Sequence, residues 1–172
     1  MTGGKSIGRR WILPMSVASV VVLADQLAKA TVRRHVPLYD TVSVIPGVFD
    51  LTHVRNTGAA FGLFNAVDFP FKSVVMMVVA FGALIAIAAY AVRLGTHERL
   101  ARVGLALILG GALGNLIDRA VHGYVLDFVD VYWRGVHFWA FNVADASITV
   151  GAVLVIFEVL FGGKPHDAPT AV

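Results

Sequence analysis

Four long apolar runs are separated by polar segments of unequal length. The runs cover residues 12–32, 71–92, 100–117 and 141–161, and each is close to the roughly 20 residues that an α-helix needs to cross a bilayer. We therefore predict a mainly α membrane protein with four transmembrane helices. Only the polar stretch RLGTHER separates the second run from the third, whereas residues 33–70 and 118–140 form longer segments that must share the opposite side of the membrane.

The two longer segments have the pattern of β-strands. In TVSVIPGVFDLTHVRNTG, β-branched and aromatic residues recur in an alternating pattern, and Pro-Gly and Asn-Thr-Gly supply turns. This pattern predicts a β-hairpin. In YVLDFVDVYW, an extended strand would place Asp127 and Val129 on one face. The aromatic residues of this segment suit the headgroup level, so we expect a small sheet on the membrane surface. We expect the tail at 162–172 to be disordered.

The composition excludes an ordinary soluble enzyme. Hydrophobic residues make up 58% of the chain and charged residues 15%, against about 45–50% and about 25% in soluble domains. The absence of cysteine excludes a disulfide, a thiol nucleophile and a thiolate metal site. The net charge is +3, but the basic residues cluster at the ends of the apolar runs, so no nucleic-acid partner is expected. We predict one integral membrane domain over residues 1–172.

The first apolar run leaves one alternative open. Basic residues precede it and Ala28, Lys29 and Ala30 close it, a pattern that a cleaved signal peptide also has. Its length and its two ionisable residues, Asp25 and Lys29, favour a first transmembrane helix. Seven Lys and Arg residues flank the runs on the side of the short connection and six on the other. This difference weakly places both termini in the cytoplasm and the longer segments in the periplasm.

Asp25 and Lys29 are the first candidates for chemistry within a span. They are four residues apart with the acid first, so they share a helix face in the favourable order. Ionisable residues inside a membrane are costly and are often functional. A buried pair that ties helices together is the structural interpretation, and a catalytic role is the alternative.

The third run closes with GGALGNLIDR. Gly110 and Gly114 form a face of small residues that lets another helix approach closely. Asn115, Asp118 and Arg119 follow on one side of the helix, where it leaves the lipid. We expect Asp118 to pair with the adjacent Arg119, which would hold the carboxylate in its ionised form.

Asp127 and Asp145 are the remaining acids of interest. Asp127 lies between apolar residues in the predicted strand, and Asp145 stands three residues after Asn142, the spacing of a capping box at a helix start. Two carboxyl groups in a partly desolvated site share one proton, and such a pair can activate water against a peptide carbonyl. Paired acids at the membrane edge are equally compatible with a proton pathway.

Other chemistries have weaker support. The histidines lack HExxH spacing, the serines lack a nucleophile elbow or a lysine partner, and NTGAAFG lacks the ending of a phosphate-binding loop. A transporter would be expected to show inverted repeats and broken helices, and neither is evident. A membrane scaffold without catalytic activity stays open.

Taken together, the motifs resemble those of the bacterial lipoprotein signal peptidases, also called signal peptidase II. The resemblance rests on five motifs in the order of that family: DQLAK at 25–29, NTGAAFG at 56–62, GGALGNLIDR at 110–119, VLDF at 125–128 and FNVAD at 141–145. No single motif is diagnostic, but the ordered set is specific.

The resemblance implies an aspartic endopeptidase of the inner membrane with a small periplasmic β-cradle and no cofactor or metal. Its substrates would be diacylglyceryl prolipoproteins, cut before the lipidated cysteine, and we expect a monomer in contact with membrane lipid. Asp127 and Asp145 would be the catalytic dyad. The expected supporting and substrate-binding residues are Asn56, Asn115, Asp118, Arg119, Asn142, Asp25 and Lys29.

Overall fold

The computed structural model describes residues 4–58, 69, 71–95 and 98–162, with side chains described from Trp11 onward. It contains four helices and four strands. The helices are α1 (Gly4–His35), α2 (Lys72–Ala91), α3 (Arg99–His122) and α4 (Val143–Phe161). The strands are β1 (Thr41–Ile45), β2 (Phe49–Asn56), β3 (Val125–Trp133) and β4 (Val136–His137).

All four helices are long and apolar enough to cross a membrane. Their outer faces expose large apolar side chains, such as Leu27 at 67% and Val159 at 66%. In water such faces would be unfavourable, whereas lipid is as apolar as leucine. The predicted combination of four membrane helices with a small antiparallel sheet is therefore confirmed. The predicted disorder of the tail concerns residues that, from 163 onward, lie outside the described part of the chain.

The end of α3 and the start of α4 differ from the predicted spans. The third span was predicted to stop at residue 117, but α3 continues to His122. It ends at Gly123, whose φ of 79° is left-handed and costs glycine little. The fourth span was predicted from residue 141, but Phe141 forms an isolated bridge with Val129 and the helix starts at Val143.

Helix α3 lies at the centre of the bundle and packs against α1, α2 and α4. Glycines make its close approaches possible. A Cβ on Gly110 would lie 2.8 Å from the carbonyl oxygen of Ala18 in α1, and a Cβ on Gly111 would clash with the carbonyl oxygen of Ala144 in α4. The predicted packing role of Gly110 is confirmed, and the same physics holds α4 against α3.

The sheet joins the two long connections. Its order is β1-β2-β3-β4, with antiparallel pairing throughout, so the predicted hairpin is present as β1 and β2. The ladder pairs Val54 with Asp127 and Asn56 with Val125. Leu126 and Phe128 of β3 are buried against Val32 at the end of α1. This contact fixes β3 over the bundle, at the end where α4 begins.

Candidate active site

Two carboxyl groups face the junction between the sheet and the helix bundle. Asp127 lies in β3 and is 3% exposed, and Asp145 lies in the first turn of α4 and is half-buried. Sheet pairing sets the position of Asp127, and the start of α4 sets that of Asp145. The structure thus brings the two acids to the same end of the bundle, although they are 18 positions apart along the chain.

Asn142 contacts both acids. Its side-chain oxygen accepts a hydrogen bond from the Asp145 backbone N–H (2.9 Å), and its Nδ2 donates to Asp127 Oδ1 (2.7 Å). Asp145 Oδ2 in turn accepts from the Asn142 backbone N–H at 3.3 Å, which completes the predicted capping box. Asn142 is fully buried. One side chain therefore starts α4 and links its first acid to the acid of the strand.

Two further asparagines complete the ring of amide donors. Asn56 Nδ2 donates to Asp127 Oδ2 at 2.9 Å, and its own oxygen accepts from the Gly58 backbone N–H at 2.9 Å. Asn115 Nδ2 donates to Asp145 Oδ1 at 2.8 Å. Both carboxyl groups are thus held at both of their oxygens. We call Asp127, Asp145, Asn56, Asn115 and Asn142 the aspartate site.

Lys29 lies beneath the aspartate site with no exposed surface. Its Nζ is 2.8 Å from Asp25 Oδ2 and 3.1 Å from Asp118 Oδ2, and it donates to Asn115 Oδ1 at 2.9 Å. The predicted pair between Asp25 and Lys29 is present within α1, and the contacts of Lys29 with Asp118 and Asn115 tie α1 to α3. Because Asn115 also donates to Asp145, the buried ammonium group connects to Asp145 through the amide of Asn115.

The two acids bound to Lys29 hold the backbone next to the aspartate site. Asp25 Oδ1 accepts from the N–H of Ala144 at 3.0 Å, and Asp118 Oδ2 accepts from the N–H of Leu126 at 3.0 Å. Ala144 and Leu126 directly precede Asp145 and Asp127. Asp25 therefore holds the residue that precedes Asp145, and Asp118 holds the residue that precedes Asp127.

Arg119 has a different partner from the one that we predicted. Asp118 forms its ion pairs with Lys29 and with Arg33 (2.8 Å), so the predicted pairing of Asp118 with Arg119 is wrong. Adjacent residues of a helix point about 100° apart, which sends the two side chains to different sides. Arg119 Nη2 donates to the carbonyl of Gly58 at 2.9 Å instead, and this bond holds the loop that follows Asn56.

Sequence reasoning missed two polar residues of this network. Arg33 pairs with Asp118, and Gln26 Nε2 donates to Asp25 Oδ2 (3.1 Å) and to the carbonyl of Gly114 (3.1 Å). The spacing of Arg33, four residues after Lys29, places both on one helix face and could have indicated its role. Gln26 gave no signal of that kind. Of the motif NTGAAFG, residues 59–62 lie outside the described part of the chain.

Burial and charge act together on Asp127. Removal from water, and to a smaller extent the negative charge of Asp145, raise the pKa of the Asp127 carboxyl to about 7. Hydrogen bonds from Asn56 and Asn142 oppose the rise. The Asp127 carboxyl therefore keeps its proton to a much higher pH than an ordinary aspartic acid, which suits a group that shares a proton.

No cluster of three or more possible metal ligands occurs among the described residues. The aspartate site is instead built from two carboxyl groups and three amides, together with the charges of Lys29 and Arg119. Such a set can hold and exchange a proton next to a peptide bond.

Comparison with known proteins decides the family. The family profile described as signal peptidase (SPase) II matches residues 17–161. This chain belongs to the signal peptidase II family. The matched region includes every residue of the aspartate site, and membership makes the chain a membrane aspartic peptidase that removes signal peptides from lipoproteins.

Two lipoprotein signal peptidases from other bacteria are similar to this chain over most of its length. The lipoprotein signal peptidase of Geobacter metallireducens is 44% identical over 146 residues, which cover 84% of this chain and 88% of that protein. The lipoprotein signal peptidase of Solibacter usitatus is 42% identical over 144 residues, with the same coverage.

Solved structures share the fold. A bacterial membrane enzyme determined by the in meso method at 2.3 Å resolution superposes with a TM-score of 0.77 and 31% identity, covering 93% of this chain and 94% of that one. A second such structure, at 1.9 Å, has a TM-score of 0.76 and 28% identity. The chain is thus a multi-pass bacterial membrane protein with the architecture of these enzymes.

Proposed function

We propose that Asp127 and Asp145 form the catalytic dyad and that the enzyme cuts diacylglyceryl prolipoproteins immediately before the lipidated cysteine. The observation that carries the proposal is Asn142, which donates to Asp127 and caps the helix turn that bears Asp145. Bound in this way, the two carboxyl groups keep fixed positions at the end of four membrane spans.

The two acids divide the chemistry between them. The charge of Asp145 contributes to the raised pKa of Asp127, so we assign the shared proton to Asp127. Asp145 also lies in the first turn of α4, where the positive end of the helix dipole stabilises a carboxylate. Asp145 therefore accepts a proton from the attacking water, and protonated Asp127 donates a hydrogen bond to the scissile carbonyl.

Hydrolysis then proceeds through a tetrahedral intermediate. The hydroxyl of the water bonds to the carbonyl carbon, and the carbonyl oxygen takes the proton of Asp127. Collapse of the intermediate returns a proton to Asp127, breaks the C–N bond and transfers the proton on Asp145 to the leaving amine. The products are the carboxyl terminus of the signal peptide and the free amine of the lipidated cysteine, so one water is consumed in each turn.

The supporting residues keep the dyad in place. Asp25 and Asp118, both paired with Lys29, fix the backbone in front of each acid. Asn56 and Asn115 orient the two carboxyl groups. Arg119, half-buried and bonded to Gly58, lies beside the site and binds substrate backbone in this proposal.

The location of the site would suit a substrate that its lipid anchors in the bilayer. Acyl chains in the outer leaflet would hold the scissile bond at the level where α4 begins and β3 crosses the bundle. We propose that this end faces the periplasm, with both termini in the cytoplasm, and that the enzyme acts as a monomer.

A precursor pair tests the proposal. Purified enzyme in detergent is incubated with a prolipoprotein that carries diacylglyceryl on its cysteine and with the same chain without the lipid. We expect cleavage before the cysteine of the lipidated chain only, unchanged by EDTA because no metal is expected. Cleavage of both chains at equal rates would contradict the role of the lipid, and loss of activity in EDTA that zinc restores would contradict the dyad mechanism.

A further inference from the structure

A groove of about 110 Å³ lies between α1, α2 and α3, far from the aspartate site. Its walls are apolar side chains of α1 and α3, with Ala91 of α2 at one side. At one end of the groove, Trp11 begins the membrane-span part of α1, Ala91 ends α2 and Arg102 lies three residues after the start of α3. The groove belongs to no part of the proposed reaction.

The groove runs along α1 and α3. On α1 its lining extends from Trp11 to Ala18, and on α3 from Arg102 to Leu109, which at 1.5 Å per residue is about 10 Å on each helix. Gly110 packs against Ala18, so the two linings lie at matching depths. In a bilayer that the four helices cross, the open flank of the groove would face hydrocarbon, and its end at Trp11 and Arg102 would lie near the headgroups.

Positive charge dominates this end of the molecule. Arg93, Arg99 and Arg102 stand at the adjoining ends of α2 and α3, and the sequence adds Lys5, Arg9 and Arg10 ahead of Trp11. The acids described at this end are Glu98 and Glu158. Each accepts a bond from a backbone N–H, that of Gly95 and that of Leu100 respectively.

We propose that the groove binds one acyl chain of an anionic phospholipid from the adjoining leaflet, with the lipid phosphate next to Arg102. The apolar walls suit a hydrocarbon chain, and the surplus of guanidinium groups suits a phosphate that carries a net negative charge. A zwitterionic lipid would fill the same groove with less electrostatic gain. This inference is independent of the dyad and requires only that the four helices span the bilayer.

Spin-labelled lipids test the proposal. The full-length protein is placed in phosphatidylcholine vesicles with a trace of chain-labelled phosphatidylglycerol or phosphatidylcholine, and electron paramagnetic resonance measures the motionally restricted fraction. We expect about a fivefold preference for phosphatidylglycerol, the effect of about one basic side chain on an anionic headgroup. Equal restricted fractions for the two labels would overturn the proposal.

Matched variants show which residues restrict the lipid and which cause the preference for phosphatidylglycerol. Arg102→Gln should abolish the preference for phosphatidylglycerol, so that the two lipids give about equal restricted fractions. Arg93→Gln changes an exposed residue outside the groove and should keep most of the preference. Ala18→Leu should fill the groove and lower the restricted fraction for both lipids, whereas Ser16→Leu, on the exposed face of the same helix, should not. Met15→Trp replaces Ala18→Leu if that variant does not fold. Preference that survives Arg102→Gln would contradict the phosphate site.

The same measurement tests whether a signal peptide, rather than a lipid, occupies the groove. A precursor peptide that contains a signal sequence is added to the labelled vesicles. We expect the restricted lipid fraction to stay unchanged, because the groove lies at the opposite end from the aspartate site. Displacement of the labelled lipid by the peptide would make the groove a substrate site and overturn the proposal.

Discussion

Asn142 combines two roles in one side chain, as the cap of α4 and as a donor to Asp127. The variants Asn142→Ser and Asn142→Ala separate these roles. Serine is a good N-cap but is too short to donate to Asp127, so Asn142→Ser should keep near-native stability and lose about 10²-fold or more in cleavage rate. Asn142→Ala should lose activity and also about 1 kcal/mol of stability. Thermal unfolding and cleavage assays check both, and equal activity of Asn142→Ser and the wild type would contradict the role.

The protonation of Asp127 predicts the alkaline limb of the pH profile. Its pKa is raised to about 7, so the proton that the mechanism needs is present below that pH and is lost above it. Cleavage should therefore decline as the pH rises through about 7. Activity that instead increases from pH 7 to pH 9 would contradict the assignment of the proton to Asp127.

Asn56→Ala should shift the alkaline limb of the pH profile. Asn56 donates to the Asp127 carboxyl and opposes the rise in its pKa. Without this donor the ionised form is less favourable, so the alkaline limb should move to higher pH while the maximal rate falls. A pH profile of the cleavage rate of the variant checks this, and a limb that moves to lower pH would contradict the proposed contact.

At the scale of elements, the close approach of α3 and α4 sets the position of Asp145. A Cβ on Gly111 would clash with the carbonyl of Ala144 and lie 2.8 Å from Ile148 Cγ1. Gly111→Ala should therefore push the helices apart, at about 1–3 kcal/mol, and reduce cleavage. Gly82→Ala is the matched control, because a Cβ at Gly82 meets nothing within 4 Å. Melting temperatures and rates check the pair, and equal behaviour of the two variants would contradict the packing account.

The elements show what sequence patterns can and cannot predict. Hydropathy and alternation predicted the four helices and the first hairpin, because both patterns depend on neighbouring residues. They placed the end of α3 too early, since Asp118 finds its partners Lys29 and Arg33 in another helix. The same reason made the predicted pairing with Arg119 wrong. The residues of the aspartate site were named in advance from family motifs, whereas Arg33 and Gln26 were found only through their contacts across helices.

At the scale of the whole molecule, Lys29 joins α1, α3 and the aspartate site in one buried network. Lys29→Met leaves the buried carboxylates of Asp25 and Asp118 with one cation fewer and should cost about 3–5 kcal/mol. The double variant Asp25→Asn with Lys29→Met leaves the pair between Asp118 and Arg33 and should recover part of that loss. Unfolding measurements of both variants check this. A double variant less stable than Lys29→Met would contradict the charge balance.

The central claim is that Asp127 and Asp145 act together on water. The most direct test measures cleavage of a diacylglyceryl precursor by purified wild-type protein, Asp127→Asn, Asp145→Asn and the control Asp130→Asn, which changes another acid of the same strand. All four proteins are first shown to be folded by their thermal unfolding. The account predicts no detectable cleavage by either dyad variant and near wild-type cleavage by the control. Cleavage at near wild-type rate by Asp127→Asn or by Asp145→Asn would contradict it.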